Sequence, residues 1–174
     1  METGNLMIDA QTAFARERRR RRLARARGWL GRRGGDSRGL VSLEDALGTR
    51  SPTHRRPVGL RTIPLESIVG TAESAKARVF DQRFRPPLTS RHRWERLWVA
   101  GRRGAPLPPI SVYRVGDRHF VNDGHHRVSV ANALGMAAID AEVTELSPVT
   151  DGSPAADVSR AANLSPAAQL CPAG

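Results

Sequence analysis

The sequence predicts a small α+β domain: a mixed sheet with helices packed on it, preceded by a basic helical arm. Three observations carry this. Alternating apolar and polar residues over 110–115 and 138–144 have the period of half-buried strands. Trp94, Leu97 and Trp98 lie at i, i+3 and i+4, the period of a helix with one buried face. Charge is uneven: residues 1–61 hold 15 basic and 6 acidic side chains, net +9, whereas residues 62–174 hold 13 and 11, net +2. The chain therefore divides into a basic arm and linker over 1–58, a nearly neutral domain over 59–146, and a tail over 147–174.

The single cysteine, Cys171, cannot form an internal disulfide or a thiolate-rich zinc site, so a reducing compartment is the default. No run approaches the ~20 apolar residues of a membrane span. The start of the chain carries Glu2 and no long apolar stretch, so a secretory leader is not expected. A cytoplasmic protein is the expectation. Every basic side chain except Lys76 is arginine, a bias that fits a GC-rich genome and by itself says little about phosphate recognition.

The arm, over residues 8–33, combines alanine, leucine and arginine, which favour helix. Phe14, Ala26, Trp29 and Leu30 could share one side, but arginines interrupt the stripe. Its basic run, Arg18, Arg19, Arg20, Arg21 and Arg22 among them, has three readings. It is a solvated helix face, a contact for DNA or RNA phosphates through residues 16–33, or a membrane-surface helix anchored by Trp29 and Leu30. Ser42-Leu43-Glu44-Asp45 has capping-box spacing and starts a short helix over 43–47. Residues 48–58, with Pro52 and Pro57, read as linker. Residues 59–65 alternate well enough for a first strand, and 66–70 turn away from it.

Residues 71–88 are irregular, with Pro86 and Pro87 closing a loop pinned by Phe80 and Phe84. The loop is either surface packing or a means of bringing Arg83 or Arg85 toward a ligand. Thr89 or Ser90 caps a helix over 91–100. Strands over 110–115 and 118–122 form a hairpin around Gly116-Asp117. A helix with Val128, Ala131 and Leu134 inward ends at Gly135, and a last strand follows over 138–144. From Ser147 the composition predicts disorder.

The chemistry concentrates at Asp123-Gly124-His125-His126-Arg127, where a strand meets a helix. Amides at a helix start have no intrahelical acceptor and the dipole there favours anions. Asp123 is a helix cap, a general base, or a ligand for nucleotide-bound Mg²⁺. Adjacent histidines diverge on a helix, so His125 and His126 do not form the i, i+4 pair of a zinc helix; one packs and the other faces the ligand. Arg127 can fork onto phosphate or form an internal salt bridge. There is no Gly-rich loop with Lys-Ser/Thr, no dinucleotide fingerprint and no serine elbow.

At these residues the chain resembles the ParB/sulfiredoxin superfamily over about 59–146. The resemblance lies in the order of elements, the run Leu107-Pro108-Pro109-Ile110-Ser111-Val112, the hairpin, and the glycine-containing turn ending in arginine. It implies that Gly124, His125, His126 and Arg127 hold the phosphates of a nucleotide such as CTP, ATP or ADP with Mg²⁺. The Asp-Gly-His turn is similar to that of free serine kinases, which implies a catalytic role for Asp123 with Glu73 or Glu66. Histidines stand where sulfiredoxin needs its cysteine, and the DNA-reading and dimerisation regions of ParB proteins have no counterpart after residue 146. The basic arm with Phe-Arg-Pro and Asp-Gly-His-His-Arg is similar to a bacterial group of ParB-like proteins. The leading expectation is a nucleotide-binding, regulatory ParB-like protein; a small-molecule kinase and a nonspecific DNA-binding protein are the alternatives.

Overall fold

The structure, a computed structural model, describes residues 4–30, 39–48 and 52–148. Among these residues six strands form one mixed sheet: β1 (Val41–Ser42), β2 (Pro52–Pro64), β3 (Ile68–Thr71), β4 (Ile110–Val115), β5 (Arg118–Asp123) and β6 (Ala138–Pro148). Their order is β1-β3-β5-β4-β6-β2. β4 and β5 pair antiparallel as the expected hairpin, β3 runs parallel to β5, and β4 runs parallel to β6. Three parallel pairs, β1 with β3 among them, need crossovers, and a helix lies in each connection.

Ile110, Val112, Ile139, Ala141 and Val143 are buried on the covered face, while Asp140 and Glu142 alternate outward. Among the described residues five α-helices accompany the sheet: α1 (Leu6–Leu30), α2 (Leu43–Leu47), α3 (Ser74–Ala77), α4 (Arg91–Arg102) and α5 (His125–Leu134). Val128 and Ala131 of α5 join the strand residues in the main core, together with Phe80 and Phe84. A second apolar cluster holds Trp94 and Trp98 of α4 against Phe14 and Ala10 of α1 and Val130 of α5. The tryptophans are core residues, as their spacing indicated. Trp94 is fully buried, meets Phe14 edge-on at 5.5 Å, and donates its indole N–H to Ser129 Oγ at 2.9 Å. A buried tryptophan needs such a partner for its polar edge.

Four local expectations change. The basic helix packs against the domain: Ala10 and Phe14 of α1 share an apolar cluster with Trp94 and Trp98 of α4, Glu17, Arg21 and Ala24 are buried as well, and Ala26, expected on the apolar side, is exposed. Residues 52–58, read as linker, belong to β2, which pairs with β6 along its length with bulges near Pro52 and Pro57. Residues 65–70 form a 3₁₀ turn and then β3, a strand too short to show periodicity. Ser90 starts α4 without a side-chain cap bond, because its Oγ donates to Pro87 O. By contrast, Ser42 caps α2 by accepting from the Asp45 amide at 3.0 Å, as the capping box predicts. Ser147 and Pro148 are the last residues of β6; the rest of the predicted tail, with Cys171, lies outside the described residues.

Candidate functional site

β5 ends at Asp123, and the chain turns into α5 through Gly124, which sits at φ +102. That left-handed conformation is why glycine is needed here. Gly124, not Asp123, occupies the cap position, so the carboxylate is not a helix cap. Asp123 Oδ2 instead accepts from Arg127 Nη2 at 2.5 Å, one helical turn later. Arg127 Nη1 also donates to the carbonyls of Pro108 and Pro109. Its guanidinium is thus occupied in pinning the segment that leads into β4. Its main-chain N–H is taken by Gly124 O at 2.8 Å. Of the two readings of Arg127, the internal salt bridge is present in the ligand-free structure, and the same side chain borders the cleft at the helix start.

His125 is buried, with Nε2 2.7 Å from Thr71 Oγ1 at the end of β3. Phe80 stacks on its ring at 5.6 Å and also meets His126 at 5.3 Å. Burial, followed by the positive charge of Lys76, pushes the His125 imidazole down to about 4. His126 is likewise pushed down to about 4, by burial and then by Arg93 and Lys76. Both rings are neutral at neutral pH. His125 is the more tightly packed histidine; both rings border the cleft, and His126 Nδ1 has no hydrogen-bond partner among the described residues.

The cleft at this junction has a volume of about 280 Å³. It gathers Asp123 to Arg127 with Glu73 and Lys76 from around α3 and Arg93 from the first turn of α4. Neither Lys76 nor Arg93 has an ion pair or side-chain hydrogen bond among the described residues. The first amides of α5, at His125 and His126, point toward the helix start as orphan donors. Anions are favoured where such amides meet unpaired cations.

The other predicted residues are elsewhere. Glu66 and Arg85 line a separate, larger cavity of about 850 Å³ between the α1 side of the molecule and the 3₁₀ turn. Arg85 is spent on Asp81 Oδ2 at 3.1 Å, with Glu17 Oε2 at 3.8 Å, and does not line the α5 cleft. Arg21, counted among the nucleic-acid contacts, is buried and donates to Val79 O and Arg85 O. Arg19, Arg20 and Arg22 remain exposed, Arg18 is half-buried, and Arg20 pairs with Glu17 at 2.8 Å. Among the described residues no three histidine, cysteine or acidic side chains cluster as metal ligands. No described helix is long and apolar enough to cross a membrane.

Sequence reasoning missed Thr71, Lys76 and Arg93 as site residues, and read Phe80 only as an anchor of its loop. One signal was present: Lys76 is the sole lysine in a chain that otherwise uses arginine.

No protein-family model matches the chain, and no curated protein matches it. Among solved structures it is similar to sulfiredoxin from Arabidopsis thaliana, at 23% identity and a TM-score of 0.36, covering 48% of this chain and 82% of that one. The chemistry of the cleft stands on its own residues.

Proposed function

We propose that the cleft at the start of α5 binds the phosphates of a nucleotide, and that the protein is a ParB-like nucleotide-binding regulator. The observation that carries this is the convergence of Lys76 and Arg93, both unpaired among the described residues, on the first turn of α5. The amides of His125 and His126 supply directional donors; Lys76 and Arg93 supply charge. Neutral imidazoles add no positive charge but exclude water from the cleft floor. Arg127 acts behind the site, holding the Pro108-Pro109 carbonyls. Asp123 Oδ1 makes no hydrogen bond among the described residues, and Glu73 lies in the same cleft. These two carboxylates are the ones that could hold Mg²⁺ arriving with a nucleotide, since that ion typically takes one or two carboxylates beside phosphate oxygens.

Calorimetric titration with CTP, ATP and ADP, each with Mg²⁺, tests the reading. Lys76→Ala and Arg93→Ala are each expected to weaken binding by roughly 10- to 100-fold, the worth of a charge-assisted hydrogen bond. Absence of binding to all three nucleotides sinks the proposal.

A second reading follows from Glu73. Its carboxylate is unpaired among the described residues and shares the cleft with Asp123, whereas Glu66 does not. A small-molecule kinase would use Glu73 as base and Asp123 toward the metal, because phosphoryl transfer needs mainly positioning and charge neutralisation. Product analysis with free serine and related hydroxyl compounds decides this; no phosphorylated product from any of them excludes it.

The exposed arginines of α1 offer a nonspecific contact for DNA or RNA. Because α1 is packed on α4, deleting it would uncover Trp94. Replacing Arg18, Arg19, Arg20 and Arg22 by glutamine is the cleaner test. The salt dependence of DNA binding should flatten; an unchanged slope removes these residues from the interface.

A further inference from the structure

We propose that Arg21 of α1 is a positioning residue for the α5 cleft, acting through the 79–85 loop and the Phe80 ring. Its consequence for ligand affinity rests on the nucleotide reading above; its consequence for the imidazoles does not.

Arg21 Nη2 donates to Val79 O at 2.6 Å and Nη1 to Arg85 O at 3.2 Å. One guanidinium thus grips both ends of a single loop. Inside the loop, Asp81 Oδ1 accepts the amides of Arg83 at 3.1 Å and Arg85 at 2.9 Å, and Oδ2 accepts Arg85 Nη1. Phe84, between them, is held at φ +54. A bulky residue in the left-handed region costs on the order of 1–3 kcal/mol and persists only where its surroundings over-determine it. Those surroundings are the Asp81 bonds from within and the Arg21 bonds from α1.

The other end of the loop carries the effect to the cleft. Phe80 is buried, sits one residue after the carbonyl that Arg21 holds, and contacts both His125 and His126. Phe84 also approaches His125, at 6.3 Å. The basic helix α1 therefore sets the aromatic wall of the ligand cleft. Burying Arg21 on the helix face that also holds Ala10, Phe14, Ala24 and the Arg85-facing Glu17 has no apolar rationale; gripping the loop supplies a polar one.

Arg21→Met tests this, because it keeps the aliphatic stem and removes both donations; Arg103→Met, an exposed arginine after α4, is the charge-matched control. In the ligand-free proteins, the ring-proton NMR resonances of His125 and His126 lie under the Phe80 ring current. They are expected to move toward unstacked values in Arg21→Met and to stay in place in Arg103→Met. With ATP and Mg²⁺ as probe, affinity should fall roughly tenfold in Arg21→Met, a loss of pre-organisation. Arg21→Lys, which can still reach one carbonyl, should recover part of both effects. Unmoved histidine resonances in a folded Arg21→Met protein overturn the proposal. If wild-type protein binds no nucleotide, the resonance shift still decides it. Should Arg21→Met fail to fold, native-state hydrogen exchange of the wild type serves instead. The Arg83 and Arg85 amides must then open in the same step as the α1 amides around residue 21; persistent loop protection while α1 exchanges freely would overturn the linkage.

Discussion

Thr71 Oγ1 lies 2.7 Å from His125 Nε2, joining the end of β3 to the start of α5. The same oxygen accepts the Glu73 amide at 3.1 Å and donates toward Val121 O at 3.2 Å. One hydroxyl therefore anchors the strand end, the approach to α3 and the packed histidine. Thr71→Val keeps the shape and strands the imidazole nitrogen and the Glu73 amide. It is expected to lower unfolding free energy by about 1–3 kcal/mol, measured by urea denaturation. Thr71→Ser, which retains the oxygen, should cost less; equal losses in the two variants would mean the hydroxyl is not the anchor.

The two neutral histidines make stability depend on pH. Their folded values, about 4, lie below the unfolded value of about 6.5. Between those limits the unfolded chain binds more protons, so stability is full above pH 6.5 and declines as pH falls toward 4. For the more buried His125 the loss is on the order of 2–3 kcal/mol by pH 4; His126, partly open to solvent, adds less. The urea midpoint at pH 7.5 should exceed that at pH 5, and His125→Gln should flatten the slope. A midpoint independent of pH in this interval would contradict the burial argument.

Gly124 and Gly135 bracket α5, and both have positive φ, yet they should respond differently to substitution. A Cβ on Gly124 would fall 2.5 Å from Ile110 Cγ2 and 3.2 Å from Arg127 Nε, whereas nothing lies within 4 Å of one on Gly135. Gly124→Ala combines backbone strain with a clash against a fully buried core residue and should cost about 2–4 kcal/mol. Gly135→Asn should cost about 1 kcal/mol or less, because asparagine tolerates this conformation at a helix end. Thermal melts of the two variants check the ordering.

Arg127→Ala removes three donations at once, to Asp123, Pro108 and Pro109. Two carbonyls then lose a charged donor at the entrance to β4. We expect a stability loss of about 2–4 kcal/mol, and Arg127→Lys should recover little of it, because an ammonium cannot span the fork. Undiminished stability in Arg127→Ala would return the residue to the role of ligand contact.

The outline of the domain was legible where one face of an element is simply apolar. The hairpin, α4 with its tryptophans and β6 follow their periodicity, and Ser42 caps α2 as its spacing demands; α5 is a helix as expected but buries Ser129 and Val130 beside Val128 and Ala131 and leaves Leu134 half-buried, because α4 and α1 cover its second side. β2 was cut short because residues 52–58 carry two prolines, two arginines and a histidine with little alternation. Such a segment is tolerated on an edge strand, where a missing N–H need not break the ladder. The buried face of α1 was hidden because Glu17 and Arg21 occupy it, and their partners lie some 60 residues downstream. In the cleft, the turn itself was readable as anion-friendly. The cations were not, because Lys76 and Arg93 reach it from α3 and α4, and only the tertiary fold brings those elements together.

The strand order has a bearing on how the chain is made. Among the described residues β2 pairs with β6 alone, whose residues follow it by more than 70 positions. At about 5–20 residues per second, a ribosome takes on the order of 4–15 s to supply them after β2 emerges. Throughout that interval a 13-residue segment has no strand beside it. Its prolines and arginines then act as protection against pairing between nascent chains, a service rendered before the fold exists.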